Sequence, residues 1–179
     1  MQSQLIIDEL NHSIQTLTDQ NITNLIAKIK QHQRIFVYGT GRSGLMLKAF
    51  AMRLMQLGLC AFVVGETTTP AVQKGDLLIV ASASGETNTV NMMAESAIKQ
   101  GIDLDIICAS PNSTLAKIQT PDIMLQSGTK FSQSKMSQQP LGSLFEQLLL
   151  IIFDTVILTM SNAQKESNTD MAHRHASLE

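Results

Sequence analysis

Five short apolar runs decide what this chain can fold into. They are Ile35-Phe36-Val37-Tyr38, Cys60-Ala61-Phe62-Val63-Val64, Leu77-Leu78-Ile79-Val80-Ala81, Ile106-Ile107-Cys108-Ala109 and Ile123-Met124-Leu125. None alternates apolar with polar residues, so none has a face suited to water. Strands of that kind are buried on both faces, the condition of a parallel sheet covered by helices. Helical patterns separate them. Residues 43–58 end on Leu57-Gly58, a second helix runs from about Thr87 to Gln100 and stops at Gly101, and a small one lies around 113–118. Lys74-Gly75-Asp76 is the turn that introduces the third run. Strand alternating with helix predicts an α/β fold, a three-layer sandwich around a parallel sheet of about five strands.

The flanks are helical. Ile22, Leu25, Ile26 and Ile29 follow the i, i+3, i+4, i+7 rule, and Thr18-Asp19-Gln20-Asn21 divides the N-terminal segment into two helices or one kinked helix. Leu141 to Met160 is apolar enough to suggest a membrane. It carries Glu146, Gln147 and Asp154, costly at bilayer depth, so it reads as a buried core helix. Residues 126–139 show no periodicity and form a long loop, usually functional or mobile in a compact domain. A polar tail, 166–179, reads as helical. Residues 1–179 are expected as one domain: helices in 1–33, the sheet in 34–126, closing helices in 140–179.

Composition narrows the partners. Thirteen Lys and Arg stand against fifteen Asp and Glu, a net charge of −2, and there is one Tyr and no Trp. That excludes an electrostatic case for nucleic acid or an anionic membrane surface. Met1-Gln2-Ser3-Gln4 lacks the basic region of a signal peptide, and Cys60 and Cys108 sit in apolar runs as small hydrophobes. A soluble cytoplasmic protein is expected. Hydrophobic residues make up 44% and charged residues 16%, the latter below the roughly 25% of ordinary domains, which favours burying extra surface in a homo-oligomer.

Two loops carry the chemistry. Gly39-Thr40-Gly41-Arg42-Ser43-Gly44 follows the first strand and opens a helix, a literal G-x-G-x-x-G. It reads as a dinucleotide turn, with Glu66 as the acidic ribose partner, or as a phosphosugar contact through Arg42 and Ser43, or as a plain strand-to-helix turn. The second loop, Ser82-Ala83-Ser84-Gly85-Glu86-Thr87, sets hydroxyls and a glycine at the carboxyl end of the third strand, just before a helix. It reads as a phosphate cradle or as an ordinary Ser/Thr cap. Two such loops at adjacent helix N-termini favour a phosphate monoester.

Together Gly39–Gly44 and Ser82–Thr87 resemble the sugar isomerase (SIS) domain family, which binds phosphosugars. Lys48-Ala49-Phe50-Ala51-Met52-Arg53-Leu54-Met55, Val64-Gly65-Glu66-Thr67, Pro140-Leu141-Gly142-Ser143-Leu144-Phe145-Glu146 and the ending His175-Ala176-Ser177-Leu178-Glu179 are similar to its 6-phospho-3-hexuloisomerase members. The resemblance implies a flavodoxin-like doubly wound sheet, a homotetramer, and interconversion of D-arabino-3-hexulose 6-phosphate and fructose 6-phosphate in the ribulose monophosphate pathway, with no cofactor and no metal. Gly41, Arg42, Ser43, Ser82, Ala83, Ser84, Gly85, Glu86 and Thr87 then fall to substrate binding. One departure stands out: the family commonly has Gly where this chain has Ala83, and a positive φ there would strain the loop.

The reaction moves a carbonyl between neighbouring carbons through an enediolate, so it needs a base beside the sugar and a proton shuttle between oxygens. Glu146 is the candidate base, a carboxylate on an apolar helix. The Ser143-x-x-Glu146 capping-box pattern explains both residues equally well without catalysis; the resemblance tips the balance, since Glu146 matches the family's proton acceptor. His175 is the candidate shuttle, with a solvated tail histidine as the plainer reading. His173-x-His175 lacks a third metal ligand. Three alternatives remain: a non-catalytic phosphosugar-binding module, an isomerase for another sugar phosphate, and a small dinucleotide-binding module.

Overall fold

The fold is taken from a computed structural model that describes residues 1–130, 136–165 and 168–177. The elements run α1 (Gln2–Ile14), α2 (Asp19–Gln31), β1 (Arg34–Tyr38), α3 (Gly41–Gln56), β2 (Cys60–Val63) and β3 (Leu77–Ser82). They continue with α4 (Asn88–Gln100), β4 (Asp103–Cys108), α5 (Thr114–Ile118), β5 (Ile123–Met124), α6 (Ser143–Gln164) and α7 (Asn168–His173). All five strands are parallel, in the order β2-β1-β3-β4-β5. Chain direction along the sheet reverses between β1 and β3, and the crevice at such a switch point is where doubly wound sheets bind ligands.

β1, β3 and β4 become strands because both of their faces are covered, whereas β2, at the edge of the sheet, leaves Cys60 exposed and Ala61, Phe62 and Val63 only half-buried, a correction to the buried strand expected there. Ile35, Val37, Ile79, Ala81 and Ile107 point to one side and pack with Leu25 and Ile29 of α2, Leu47 and Phe50 of α3 and Phe145, Leu149 and Phe153 of α6. Phe36, Leu78, Val80, Leu104, Ile106 and Cys108 point to the other, against Val90, Ala94 and Ala97 of α4 and Leu115 of α5. The apolar segment predicted over 141–160 is α6. It is long and apolar enough to cross a membrane, yet its Phe145, Leu148, Phe153 and Val156 are fully buried and Phe153 stacks on Phe50 with centroids 4.2 Å apart. It is the central helix of the larger core.

The break between the first two helices is real. Thr18 accepts from the Asn21 amide while the Asn21 side chain accepts from the Thr18 amide, a reciprocal cap that starts α2. The tail is corrected: among the described residues its helix covers only Asn168–His173, and Arg174 to Ser177 leave it. Residues 126–130 and 136–139 lie outside helix and strand, as expected of the long loop; 131–135 fall outside the described residues.

Candidate active site

Two crossover loops meet over the switch point, one after β1 and one after β3. The first enters α3 at Gly41, where φ is +56°, and Gly44 lets the first turn of α3 rest on the end of β1. A Cβ on Gly44 would lie 2.5 Å from the Gly39 carbonyl oxygen, so no larger residue fits. The second loop is braced from within. Ser82 Oγ lies 3.2 Å from Thr87 Oγ1 and accepts from the Gly85 amide at 3.2 Å, and Ser84 Oγ accepts from the Glu86 amide at 3.2 Å. The Gly85 carbonyl accepts from Asn91 Nδ2 and from the Leu115 amide, at 3.2 and 3.0 Å.

Between these loops and the start of α6 lies a cavity of about 310 Å³. Thr40, Gly41, Arg42 and Ser43 form one wall, Ala81–Ser84 and Thr87 a second, and Leu141, Gly142 and Glu146 a third, with Lys130 at the margin. Its volume suits a small polar ligand. The helices α3, α4 and α6 all begin here, and none has a side-chain cap. Of the helices that start elsewhere, α2 and α5 are capped by Thr18 and Ser113, while α1 has no side-chain cap either. Three uncapped N-termini aim backbone N–H groups and partial positive charge at one space, an arrangement that favours an anion.

One ion pair crosses the cavity. Arg42 Nη1 lies 2.9 Å from Glu146 Oε2 and donates to Ser143 Oγ at 2.9 Å, and Ser143 Oγ donates to the Pro140 carbonyl at 2.8 Å. The Glu146 side chain is 16% exposed and that of Arg42 is 55% exposed. Burial raises the Glu146 carboxyl above its usual range, and the Arg42 guanidinium opposes that without cancelling it. The capping-box reading of Ser143-x-x-Glu146 fails, because Gly142 is the N-cap and Ser143 already lies in the helix. Glu146 is thereby available to the cavity.

Not every residue expected at the site reaches it. Gly41, Arg42, Ser43, Ser82, Ala83, Ser84 and Thr87 do. Glu86 turns away: its carboxylate accepts from the Thr114 amide at 2.8 Å and the Thr114 hydroxyl at 2.7 Å, which holds its pKa below the usual value and ties the loop to α5. Gly85 sits behind the wall with φ at +63°, its α-carbon against Ser113. Ala83 does not have a positive φ, so the feared strain is absent. Glu66 lies off this cavity, 3.8 Å from Lys48 Nζ, which removes the acidic partner of a dinucleotide turn. His175 is far from the cavity of its own chain. Its neighbour Arg174 donates to the Gln56 carbonyl at 3.0 Å, at the end of α3 opposite the one that opens on the cavity. At 1.5 Å per residue those ends are about 24 Å apart. Thr40, Ala81, Lys130, Leu141 and Gly142 line the cavity without being singled out by the sequence. Thr40 was legible inside the glycine motif; Lys130 lies in a loop with no pattern.

Residues 28–152 match the SIS domain. The chain belongs to the SIS domain family. It is 39% identical to a 3-hexulose-6-phosphate isomerase of Bacillus subtilis over 97% of this chain and 95% of that one. It is 38% identical to a 3-hexulose-6-phosphate isomerase of Mycobacterium gastri over 98% and 88%. Among solved structures, a Methanococcus jannaschii protein whose crystal structure led to an inferred 3-hexulose-6-phosphate isomerase function superposes with a TM-score of 0.83 at 30% identity, over 99% of both chains. The SIS fold thus extends over the whole sheet and α6.

Proposed function

We propose that this protein is a phosphosugar isomerase that interconverts D-arabino-3-hexulose 6-phosphate and fructose 6-phosphate. The near-full-length likeness to two proteins of that activity supports the substrate. The observation that carries the chemistry is Glu146, a buried carboxylate with a raised pKa facing a cavity of uncapped helix N-termini. Ser82, Ser84 and Thr87, with the N–H groups at the start of α4, hold the phosphate. Arg42 and Ser43 face the sugar from the other wall.

In the direction of fructose 6-phosphate, Glu146 takes the proton from C2. The electron pair forms the C2–C3 double bond, and the C3 carbonyl oxygen becomes the enediolate oxygen, stabilised by Arg42. That oxygen gains a proton, the C2 hydroxyl loses one, and Glu146 returns its proton to C3. Atoms and charge balance with no outside reductant. The proton exchange between O2 and O3 needs a shuttle. His175 serves it only from a neighbouring subunit, since its own cavity is at the far end of α3. Exposed Leu45, Met92 and Leu158 provide apolar surface for such an assembly, and a homotetramer is the proposed state. Neither Cys60 nor Cys108 is in a disulfide, in keeping with a cytoplasmic enzyme.

The test is isotope exchange across a panel of ketose phosphates in deuterated water, with the product identified. Fructose 6-phosphate should gain deuterium at C3 and yield the 3-hexulose. Exchange with a pentulose or heptulose phosphate alone would move the assignment to another sugar, and no exchange with any would remove it. Light scattering on the eluting protein reads the assembly, and His175→Ala should lower kcat only if the tail enters a partner's cavity.

A further inference from the structure

The helix α1, to which neither motif nor mechanism gives a role, holds both borders of the 126–139 loop. Ser13 Oγ donates to the Gln126 carbonyl at 2.9 Å. One turn earlier, the Glu9 carboxylate accepts from Ser137 Oγ at 2.6 Å, the Gln138 amide at 2.6 Å and Gln139 Nε2 at 2.9 Å. Gln139 passes the contact on, its Oε1 accepting from Gln147 Nε2 at 2.8 Å. Gln147 stands next to Glu146 on α6, and its own Oε1 is buried with no hydrogen-bond partner among the described residues. Burial alone would raise the Glu9 pKa; the three hydrogen bonds outweigh it and hold the carboxylate below its usual value. It is therefore ionised at neutral pH, and its bonds are the strong, charge-assisted kind.

What these bonds pin down bears on the site. Directly after Gln139 the chain makes the Pro140-Leu141-Gly142 turn that sets the direction of α6. Leu141 takes a φ of +58° there, which costs a branched residue about 1 kcal/mol or more and persists only if its surroundings impose it. Ser143 bonds back to Pro140, and Glu146 follows one turn on.

We infer that Glu9 is a positioning residue for the isomerase: by clamping residues 137–139 it fixes the first turn of α6 and so the place of the Glu146 carboxylate opposite Arg42. Glu9 does not line the cavity. The inference rests on the isomerase reading for its catalytic consequence and on geometry alone for the clamp.

The test compares Glu9→Ala and Glu9→Gln with Asp8→Ala. Asp8 is exposed on the same helix and, among the described residues, accepts only a local bond from Gln4. Glu9→Ala should lower kcat roughly tenfold, since sub-ångström misplacement of a reacting group is costly, with a smaller change in KM because the Ser82–Thr87 cradle does not touch Glu9. Glu9→Gln keeps part of the acceptor set and should fall between. Hydrogen exchange at the amides of Gln138 and of residues 143–146 should quicken about fivefold in Glu9→Ala, the equivalent of one lost hydrogen bond. Asp8→Ala should match the wild type in both. A lower Tm in Glu9→Ala with unchanged kcat and unchanged exchange at 143–146 overturns the inference. Wild-type protein inert toward every ketose phosphate, with the exchange difference intact, instead removes the isomerase reading and the catalytic consequence with it.

Discussion

The two ends of the sheet treat charge in opposite ways. At the amino end the charges are spent on one another. Lys28 of α2 pairs with Asp105 at 3.2 Å and with Asp122, whose Oδ2 accepts from the Ile106 amide at 3.0 Å. Arg34 forks onto Asp76 through Nε at 2.8 Å, and His32 reaches Asp103 at 2.7 Å. At the carboxyl end three helices start at the cavity without side-chain caps, and the ion pair that crosses it, Arg42 with Glu146, is half open to the cavity. The amino end is a finished structure and the carboxyl end an unfinished one. The difference marks the site more sharply than any single motif, since unmet donors and positive helix ends gathered in one place call for an anion.

The strongest way to break this comparison is Glu146→Gln. It removes the proposed base and leaves the proposed phosphate cradle, so turnover should fall by about three orders of magnitude while calorimetry still detects phosphosugar binding. Full activity in this variant would make Glu146 a mere neighbour of Arg42.

At the other end the corresponding cut is Lys28→Met. It leaves Asp105 and Asp122 facing one another without their shared cation, and the Asp105 side chain is 1% exposed. Denaturant unfolding should show a loss of about 3 kcal/mol, with KM unchanged. If KM rises as well, the two ends are coupled and the contrast is overdrawn.

The pH dependence sharpens the same point. Burial, then the charge of Asp122, raise the Asp105 pKa to about 6, more than Lys28 lowers it. The folded state therefore binds a proton that the unfolded state has released, between the unfolded pKa near 4 and about pH 6. Stability from this group is greatest below that window and is lost as pH rises through it, by about 3 kcal/mol at most. Asp105→Asn should flatten the slope relative to wild type, read as Tm against pH. An unchanged slope would place the titration elsewhere.

How far the sequence reached follows from what each residue's role depends on. The inner strands were legible because burial on both faces leaves a continuous apolar run in the chain, and the two loops because glycine and hydroxyl residues sit where strand turns to helix; β2 kept an apolar run although it lies half-buried at the edge of the sheet. Glu86 and Glu146 looked alike as carboxylates near helix starts. Which one faces the cavity depends on Thr114, 28 positions away from Glu86, and on a turn at Pro140–Gly142 that shifts the N-cap to Gly142. Neither is written in local spacing. The Ser143-x-x-Glu146 pattern left a cap and a base equally open for the same reason, since a capping box is defined by where the helix begins. Glu9 was invisible because its partners lie 128 to 130 positions along the chain.

The smallest predicted effect tests whether the carboxyl end carries strain as well as unmet donors. Leu141 lines the cavity with a φ of +58° and is 79% exposed, so its side chain contributes little burial. Leu141→Gly relieves the left-handed conformation, worth about 1 kcal/mol or more, and adds back part of that as extra freedom in the unfolded chain. A net gain of roughly 0.5 kcal/mol is expected, a small rise in Tm. If the strained turn is what aims α6 at the cavity, kcat should fall in the same variant, because the glycine releases the turn that Glu9 and Ser143 hold. A rise in stability with falling activity would assign the strain to the site, as positive φ at a branched residue suggests. A fall in stability would mean that Leu141 is held by contacts rather than imposed upon, and the turn would belong with the finished end of the molecule.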